Sequence, residues 1–223
     1  MKIVVIVRTL NEETNIAEFC DGHKWADQIL IADGGSTDNT KGIAGLFDNV
    51  KVRDFEQRHY LPNGLFMNPE PAHINYLIDW ANCEGTDWIV LDDADSWPTP
   101  ALQRDARKLI ESTYTDYVML TRLYLWGEDQ YLPKINEGGG PCLWAWRAEM
   151  GIRWADGLTM FDTVAPIPNI GRALILEPPY ADLHHFSRNY ETKRARYAAW
   201  GHPQQPIEGG IYWPPEPLPE WTK

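Results

Sequence analysis

The 223-residue chain lacks any apolar run that approaches the roughly 20 residues of a membrane span. Its N-terminal apolar stretch, within MKIVVIVRTLNEE, is interrupted by charge too early for a secretory signal peptide. We therefore expect a cytoplasmic protein with no membrane-spanning segment.

Basic residues and cysteines are scarce. The chain has 20 Lys and Arg against 32 Asp and Glu, which gives a formal net charge of -12. Such a chain repels polyanions, and no basic block offsets the charge before residues 188–196, so we expect no nucleic acid partner. The three cysteines are odd in number and far apart, which excludes a disulfide framework and a zinc spacing and predicts plain core or surface thiols: Cys20, Cys83 and Cys142.

The chain does contain a regular alternation of strand and helix patterns. Apolar, β-branched runs predict strands, and the segments between them carry apolar residues at helical spacing. This alternation predicts a single α/β domain over residues 1–223, with a mainly parallel central sheet flanked by helices. In such sheets ligands bind beyond the carboxyl ends of the strands. The predicted strands are residues 2–8, 28–32, 51–55, 87–91 and 117–124, and the predicted helices are residues 11–23, 38–46, 71–81 and 102–110.

The second half differs in composition. From Trp126 onward the chain is rich in Gly, Pro and Trp, with short strands predicted at 142–147 and 172–177 and a polar helix at 187–200. Four prolines in residues 214–223 remove backbone donors and predict an extended surface arm.

The stretch WIVLDDADSW, residues 88–97, places three carboxylates at the end of a predicted strand. Carboxylates this close repel each other unless a cation binds or a pKa rises. Asp93 and Asp95 are spaced to reach one hard cation, Mg²⁺ or Mn²⁺, whose coordination a substrate phosphate completes. A solvated acidic turn that caps the next helix is the alternative from this stretch alone.

Three segments, in order, resemble the motifs of family 2 glycosyltransferases with the GT-A fold: VIVRTLNEETNI (5–16), DQILIADGGSTDNT (27–40) and WIVLDDADSWPTPAL (88–102). The resemblance covers the first half of the chain well and the second half loosely. It implies a GT-A type nucleotide-diphospho-sugar transferase fold. We divide the domain into a nucleotide-sugar and metal-binding half (1–100), an acceptor-side half (101–200) and a Pro-rich C-terminal arm (201–223).

The resemblance also implies roles for individual residues. It places Thr9, Asn11 and Glu13 in the loop that lines the nucleotide pocket. It assigns Asp33 to the base or ribose, with Gly35 in the turn beside it. Helix capping and turn chemistry are the alternatives for these positions. Asp93 and Asp95 match the Asp-X-Asp pair that holds the divalent ion on the sugar-nucleotide diphosphate.

The second half is expected to supply the remaining groups. Asp162 is the favoured general base, with Asp156 and Glu137 as alternatives. The resemblance implies a histidine at the metal, which is His185 or His184, and only one of these neighbours can point into the site because a strand sends adjacent side chains to opposite faces. Arg188, in the only basic concentration, is a candidate contact for the donor diphosphate, and a solvated helix face is its alternative.

The predicted function is metal-dependent transfer of a hexosyl or related sugar to a hydroxyl acceptor, and the resemblance implies that the transfer proceeds with inversion. The donor is a UDP-, GDP- or dTDP-linked sugar and the acceptor a saccharide, a lipid-linked molecule or a protein. One alternative is a catalytically silent GT-A-like protein that binds saccharide or is structural. The other is a nucleotidyltransferase. That class needs a Gly-rich basic loop after the first strand, whereas this chain has the acidic segment RTLNEETN there, which counts against this alternative.

Overall fold

The computed structural model describes residues 1–60, 66–112, 114–132, 141–157, 171–185 and 216–223. The first half of the chain forms β1 (Ile3–Thr9), α1 (Ile16–Gly22), β2 (Gln28–Asp33), α2 (Thr40–Ala44), β3 (Val50–Asp54), β4 (His59–Tyr60), β5 (Phe66–Met67), α3 (Glu70–Cys83), β6 (Trp88–Leu91) and β7 (Ser96–Pro98). The second half forms α4 (Pro100–Ser112), β8 (Tyr117–Tyr124), β9 (Gln130–Tyr131), β10 (Cys142–Arg147), β11 (Ala173–His184) and β12 (Glu216–Pro217).

The predicted strands and helices of the first half are confirmed in order and type. Residues 3–7 of β1 have no exposed surface, because the strand lies between parallel neighbours β2 and β6 and is covered on both faces. Pro71 lies in the first turn of α3, where its missing N–H costs no intrahelical hydrogen bond. The strand predicted at 172–177 continues to His184, and the helix predicted at 187–200 lies outside the described residues.

Eight strands form the central sheet in the order β3-β2-β1-β6-β10-β8-β11-β7. Neighbours from β3 to β6 are parallel, as are β8 and β11, but β10 is antiparallel to β6 and β8, and β7 is antiparallel to β11. The sheet is therefore mixed. Four of the seven neighbouring pairs are parallel, so the expectation of a mainly parallel sheet is confirmed, and the antiparallel pairs are those made by β10 and β7.

Two apolar cores cover the two faces of the sheet, as the alternation of side chains along β1 requires. Val5 and Val7 point into the core that holds α1 and α4, whereas Val4 and Ile6 point into the core that holds α3. Buried side chains of the first core include Phe19, Leu102, Ala106 and Trp144, and those of the second include Ile74, Leu77, Trp80 and Trp146.

The C-terminal residues 216–223 lie mostly at the surface, as expected, but they are attached to the second half of the sheet. Glu216 and Pro217 pair with β9, and Leu218 and Trp221 pack against a small core of residues from β8, β11 and Leu125. The apolar side chains of Leu218 and Trp221 are partly buried in this contact, which holds residues 216–223 against the second half of the sheet. Residues 201–215 lie outside the described part.

All three cysteines are free, as predicted. Cys20 is buried, Cys142 is partly buried and Cys83 is exposed. Within the described residues, no helix has the length and hydropathy of a membrane span.

Candidate active site

The carboxyl ends of three parallel strands meet at one edge of the sheet. Thr9 at the end of β1 is paired with Asp33 at the end of β2, and Ile6 is paired with Leu91 at the end of β6. The acidic motif follows Leu91 directly, so the structure brings the three segments of the predicted donor site together.

Asp33 is fully buried and anchors the turn after β2. Its Oδ1 accepts the backbone N–H groups of Gly35 and Ser36 at 3.0 and 2.8 Å. Its Oδ2 accepts the hydroxyls of Ser36 and Thr9 at 2.5 and 3.0 Å. Four hydrogen bonds hold this carboxylate inside the protein, so its visible role is to fix the turn, and a contact with the base or ribose stays a prediction.

Asn11 joins the loop after β1 to the loop after β2. Its φ of 59° lies in the left-handed region that Asn tolerates better than most residues. Its side-chain Oδ1 accepts the N–H of Thr37 at 2.8 Å, and its own N–H donates to the Ser36 hydroxyl at 2.8 Å. Glu13 adds a second tie, because its Oε2 accepts the N–H of Asn39 at 3.0 Å. The two loops therefore form one unit.

Gly35 has a positive φ of 102°, and a Cβ at this position would collide with the guanidinium of Arg58. The segment before β4 thus lies against the turn that Asp33 anchors. Arg58 also lies over the ring of Phe66, 4.5 Å from its centroid. The positive φ is the reason that this turn requires glycine, and a Cβ would in addition displace the end of the Arg58 side chain.

Arg122 of β8 lies at the centre of the acidic motif. Its Nε donates to Asp182 Oδ2 at 2.6 Å, its Nη1 to Asp93 Oδ2 at 2.7 Å and its Nη2 to Asp92 Oδ1 at 3.0 Å. Asp92 and Asp182 have fully buried side chains. Burial and the adjacent Asp92 charge hold the pKa of Asp182 well above its usual range despite the opposing charge of Arg122.

Asp93 is held from its other side by Arg8 of β1. The Arg8 Nη2 lies 3.3 Å from Asp93 Oδ1, and its Nη1 lies 3.0 Å from Glu70 at the start of α3. Burial by itself would raise the pKa of Asp93, but the charges of Arg122 and Arg8 outweigh it and hold that pKa well below its usual range. Asp93 is therefore ionised with an arginine at each oxygen.

Asp92 is the residue that the resemblance left without a role. Its Oδ2 lies 3.3 Å from Nε2 of His23, which is also fully buried, while Nδ1 of His23 donates to the Phe19 carbonyl at 2.9 Å. Asp92 thus connects the acidic motif to the loop that follows α1.

Asp95 lies beside His184 rather than beside His185. The His184 Nδ1 is 3.5 Å from Asp95 Oδ1 and 2.8 Å from the Ser96 hydroxyl. The His185 ring is buried and stacks on Trp97 with centroids 3.8 Å apart. The backbone N–H of His185 donates to the backbone carbonyl of Asp95 at 2.8 Å. Of the two candidate histidines, His184 lies beside Asp95 and His185 makes a packing contact with Trp97, and the metal role of either histidine stays a prediction.

The donor set fits a divalent cation that is shared with a ligand. Asp95 and His184 supply one carboxylate and one imidazole, and each oxygen of Asp93 keeps an acceptor site beyond its arginine contact. No group of three His, Cys, Asp or Glu side chains among the described residues forms a complete metal site. A cation held by few protein ligands typically completes its coordination with substrate phosphates.

The remaining predicted site residues lie apart from this cluster or outside the described chain. Asp156 is exposed in the segment that follows β10 and the short 3-10 turn at 148–150. Asp162, Glu137 and Arg188 lie outside the described residues.

Sequence reasoning missed the partners of the acidic motif. Arg8 and Arg122 each interrupt an apolar strand, in VIVRT and VMLTRLY. Charged residues are unusual inside such strands, so these two positions could have indicated a buried ionic partner. Asp182 and His23 carried no such signal, because an isolated Asp or His is common near a strand or helix end.

The chain matches the family model described as glycosyl transferase family 2 over residues 4–163. It belongs to glycosyl transferase family 2. Among curated protein sequences none matches the chain.

Solved structures of such transferases share its fold, which is the GT-A fold. S. aureus TarS 1–349 superposes with a TM-score of 0.57 at 17% identity, over 89% of this chain and 65% of that one. Glucosyl-3-phosphoglycerate synthase from Mycobacterium tuberculosis, in complex with Mn²⁺, UDP and glucosyl-3-phosphoglycerate, superposes with a TM-score of 0.52 at 17% identity, over 98% of this chain and 87% of that one. The chain thus spans less than two thirds of the TarS structure.

Proposed function

We propose that this family 2 chain is a metal-dependent glycosyltransferase that moves a sugar from a nucleoside diphosphate donor to a hydroxyl acceptor with inversion. The observation that carries the proposal is the pairing of Asp95 with His184 beside an arginine-held Asp93, at the edge where the Asn11 loop and the Asp33 turn meet. This edge is where ligands of such sheets bind.

The charges at this edge explain the need for a cation. Even with Asp182 protonated, four carboxylates face two guanidinium groups, so a diphosphate would be repelled unless a cation accompanied it. When bound, a divalent cation stabilises the negative charge that develops on the leaving diphosphate. The groups counted are Asp92, Asp93, Asp95 and Glu70 against Arg8 and Arg122.

The protein's own groups have distinct tasks in this proposal. The tied loops of Asn11 and Asp33 present a preformed surface to the nucleotide, which reduces the ordering cost of binding. Asp162 takes the proton of the acceptor hydroxyl as general base, with Asp156 and Glu137 as alternatives.

We propose UDP as the nucleotide of the donor, with Mn²⁺ or Mg²⁺ as the cation. The support is that S. aureus TarS 1–349 was crystallised with UDP-GlcNAc and the mycobacterial synthase with Mn²⁺ and UDP. GDP- and dTDP-sugars are the alternatives. The acceptor class, whether saccharide, lipid-linked molecule or protein, is left open by the described residues.

A thermal-shift panel tests the proposal with UDP, GDP and dTDP, each with and without Mn²⁺. A ligand at about 100 times its Kd stabilises the native state by about 2.7 kcal/mol, or roughly 5 to 10 °C in a domain of this size. We expect UDP with Mn²⁺ to give a shift of this order and Asp95→Ala to remove its metal-dependent part.

Asp79→Ala is the matched control, because Asp79 is an exposed carboxylate that pairs with Arg153 away from the motif. It is expected to keep the full shift. The same metal-dependent shift in wild type and Asp95→Ala would refute the metal assignment. Binding of UDP and Mn²⁺ without any transfer to acceptors would instead support the catalytically silent alternative.

A further inference from the structure

Arg122 reaches the acidic motif from a strand that is not its neighbour in the sheet. β10 lies between β6 and β8, but it begins at Cys142 opposite Leu120, so β8 extends past it. Arg122 lies in that extension, and its guanidinium contacts Asp92 and Asp93 at the end of β6. No local pattern requires this contact.

Stability does not explain the arrangement. Three carboxylates surround one guanidinium, and two of them are fully buried. Burying charged groups costs more than their attraction returns unless the pairing is complete, and apolar side chains would fill the same volume at lower cost. Acidic groups that outnumber the buried guanidinium they surround mark a candidate functional site.

The cluster restricts the orientation of Asp93. Asp182 and Asp92 hold two of the three guanidinium nitrogens, so the third, Nη1, has a fixed position from which it donates to Asp93 Oδ2 at 2.7 Å. Asp182 is opposite Arg122 in the β11–β8 pairing, which keeps this anchor in place. With Arg8 at the other oxygen, Asp93 keeps one acceptor site on each oxygen for a ligand.

We propose that Arg122 is a positioning residue, which orients Asp93 toward the donor diphosphate and its cation. The inference rests on the proposed function, because it assigns Arg122 a part in that same donor site. A lysine cannot replace it, since an ammonium group on a flexible stem does not hold three carboxylates in one plane as a guanidinium does.

The test compares Arg122→Lys with Arg107→Lys by titrating UDP in the presence of Mn²⁺ calorimetrically. Arg107 is the matched control, because it also bridges two carboxylates, Asp27 and Glu111, but on the surface away from the motif. Loss of a group that orients a metal-site ligand typically weakens binding by about 10- to 100-fold. We expect at least a 10-fold weakening in Arg122→Lys and less than a two-fold change in Arg107→Lys.

A double-mutant cycle with Asp93→Asn distinguishes an effect of Arg122 on Asp93 from a general loss of folding stability. If Arg122 acts through Asp93, Arg122→Lys weakens binding in the wild-type background and has little further effect in the Asp93→Asn background. Equal weakening in both backgrounds, or unchanged affinity together with a lowered melting temperature, would overturn the inference. A wild type that binds none of UDP, GDP and dTDP in the presence of Mn²⁺ would overturn the proposed function itself.

Asp182→Asn provides the second variant should Arg122→Lys fail to fold. It is isosteric, and Asp182 hydrogen-bonds Arg122 rather than Asp93. We expect roughly a three-fold weakening that again disappears in the Asp93→Asn background. Unchanged affinity in Asp182→Asn would count against the positioning role.

Discussion

Acidification is expected to destabilise this protein through one buried histidine, His73 of α3. Its Nε2 donates to the Ala32 carbonyl at 2.8 Å, and its ring stacks on Phe55 with centroids 4.0 Å apart. Burial, and secondarily the charge of Arg8, lowers the pKa of His73 to about 3. The native state therefore keeps this imidazole neutral at pH values where an exposed histidine is charged.

Proton linkage gives the direction and the size of the change in the free energy of unfolding. The unfolded chain has a histidine pKa of about 6.5, so between that value and about 3 the unfolded state binds more protons and stability falls as the pH falls. From pH 7 to pH 5 the loss is about 2 kcal/mol, at 1.36 kcal/mol per pH unit below the unfolded pKa. The loss levels off only near pH 3.

Urea unfolding at pH 7 and pH 5 measures the effect in wild type and in His73→Gln. A glutamine amide can donate the same hydrogen bond to Ala32 but does not titrate, so contributions of other groups, including the raised pKa of Asp182, cancel in the comparison. We expect wild type to lose about 2 kcal/mol more than the variant. Equal losses in the two proteins would refute the assignment of a neutral, buried His73.

Two further predictions test the fold around the site, the first of them with a control substitution. Gly35→Ala is expected to lower stability by about 1 to 3 kcal/mol because of its positive φ, and in addition to displace Arg58. Gly85→Ala, with a positive φ but open space around its Cβ, gives the strain without the collision, and equal costs in urea unfolding would show that the Arg58 contact is unimportant. Phe19→Ala removes a fully buried ring that packs on His23. We expect the free energy of unfolding, measured in urea, to fall by about 3 to 5 kcal/mol. A loss below about 1 kcal/mol would contradict the close packing.

Most of the first hundred residues could be predicted because their signals are local. Strand and helix patterns depend on spacing within a dozen residues, and the rule that ligands bind at the carboxyl ends of parallel strands then places Thr9, Asp33 and the acidic motif together. The mixed sheet could not be predicted, because the composition after Trp126 does not determine which strands pair with β10 or in which direction.

The chemistry of the individual side chains was less predictable than their location. Asp33, Asn11 and Glu13 were placed at the correct edge, but the hydrogen bonds that tie the two loops together join residues about 25 positions apart. The position of His184 beside Asp95 depends on how the end of β11 pairs with β7, and residues 96–98 and 182–184 are too far apart in the chain for a local pattern to predict that pairing.

The order of strands and helices in the first half and the edge that carries the site follow from the amino-acid sequence, because hydrophobic periodicity and chain direction are properties of short segments. Only the tertiary structure shows that Arg122 and Asp182, 60 positions apart, meet the acidic motif. That meeting depends on a register shift in β11 between Leu176 and Ala181 and on the point at which β10 begins, and both are results of long-range packing.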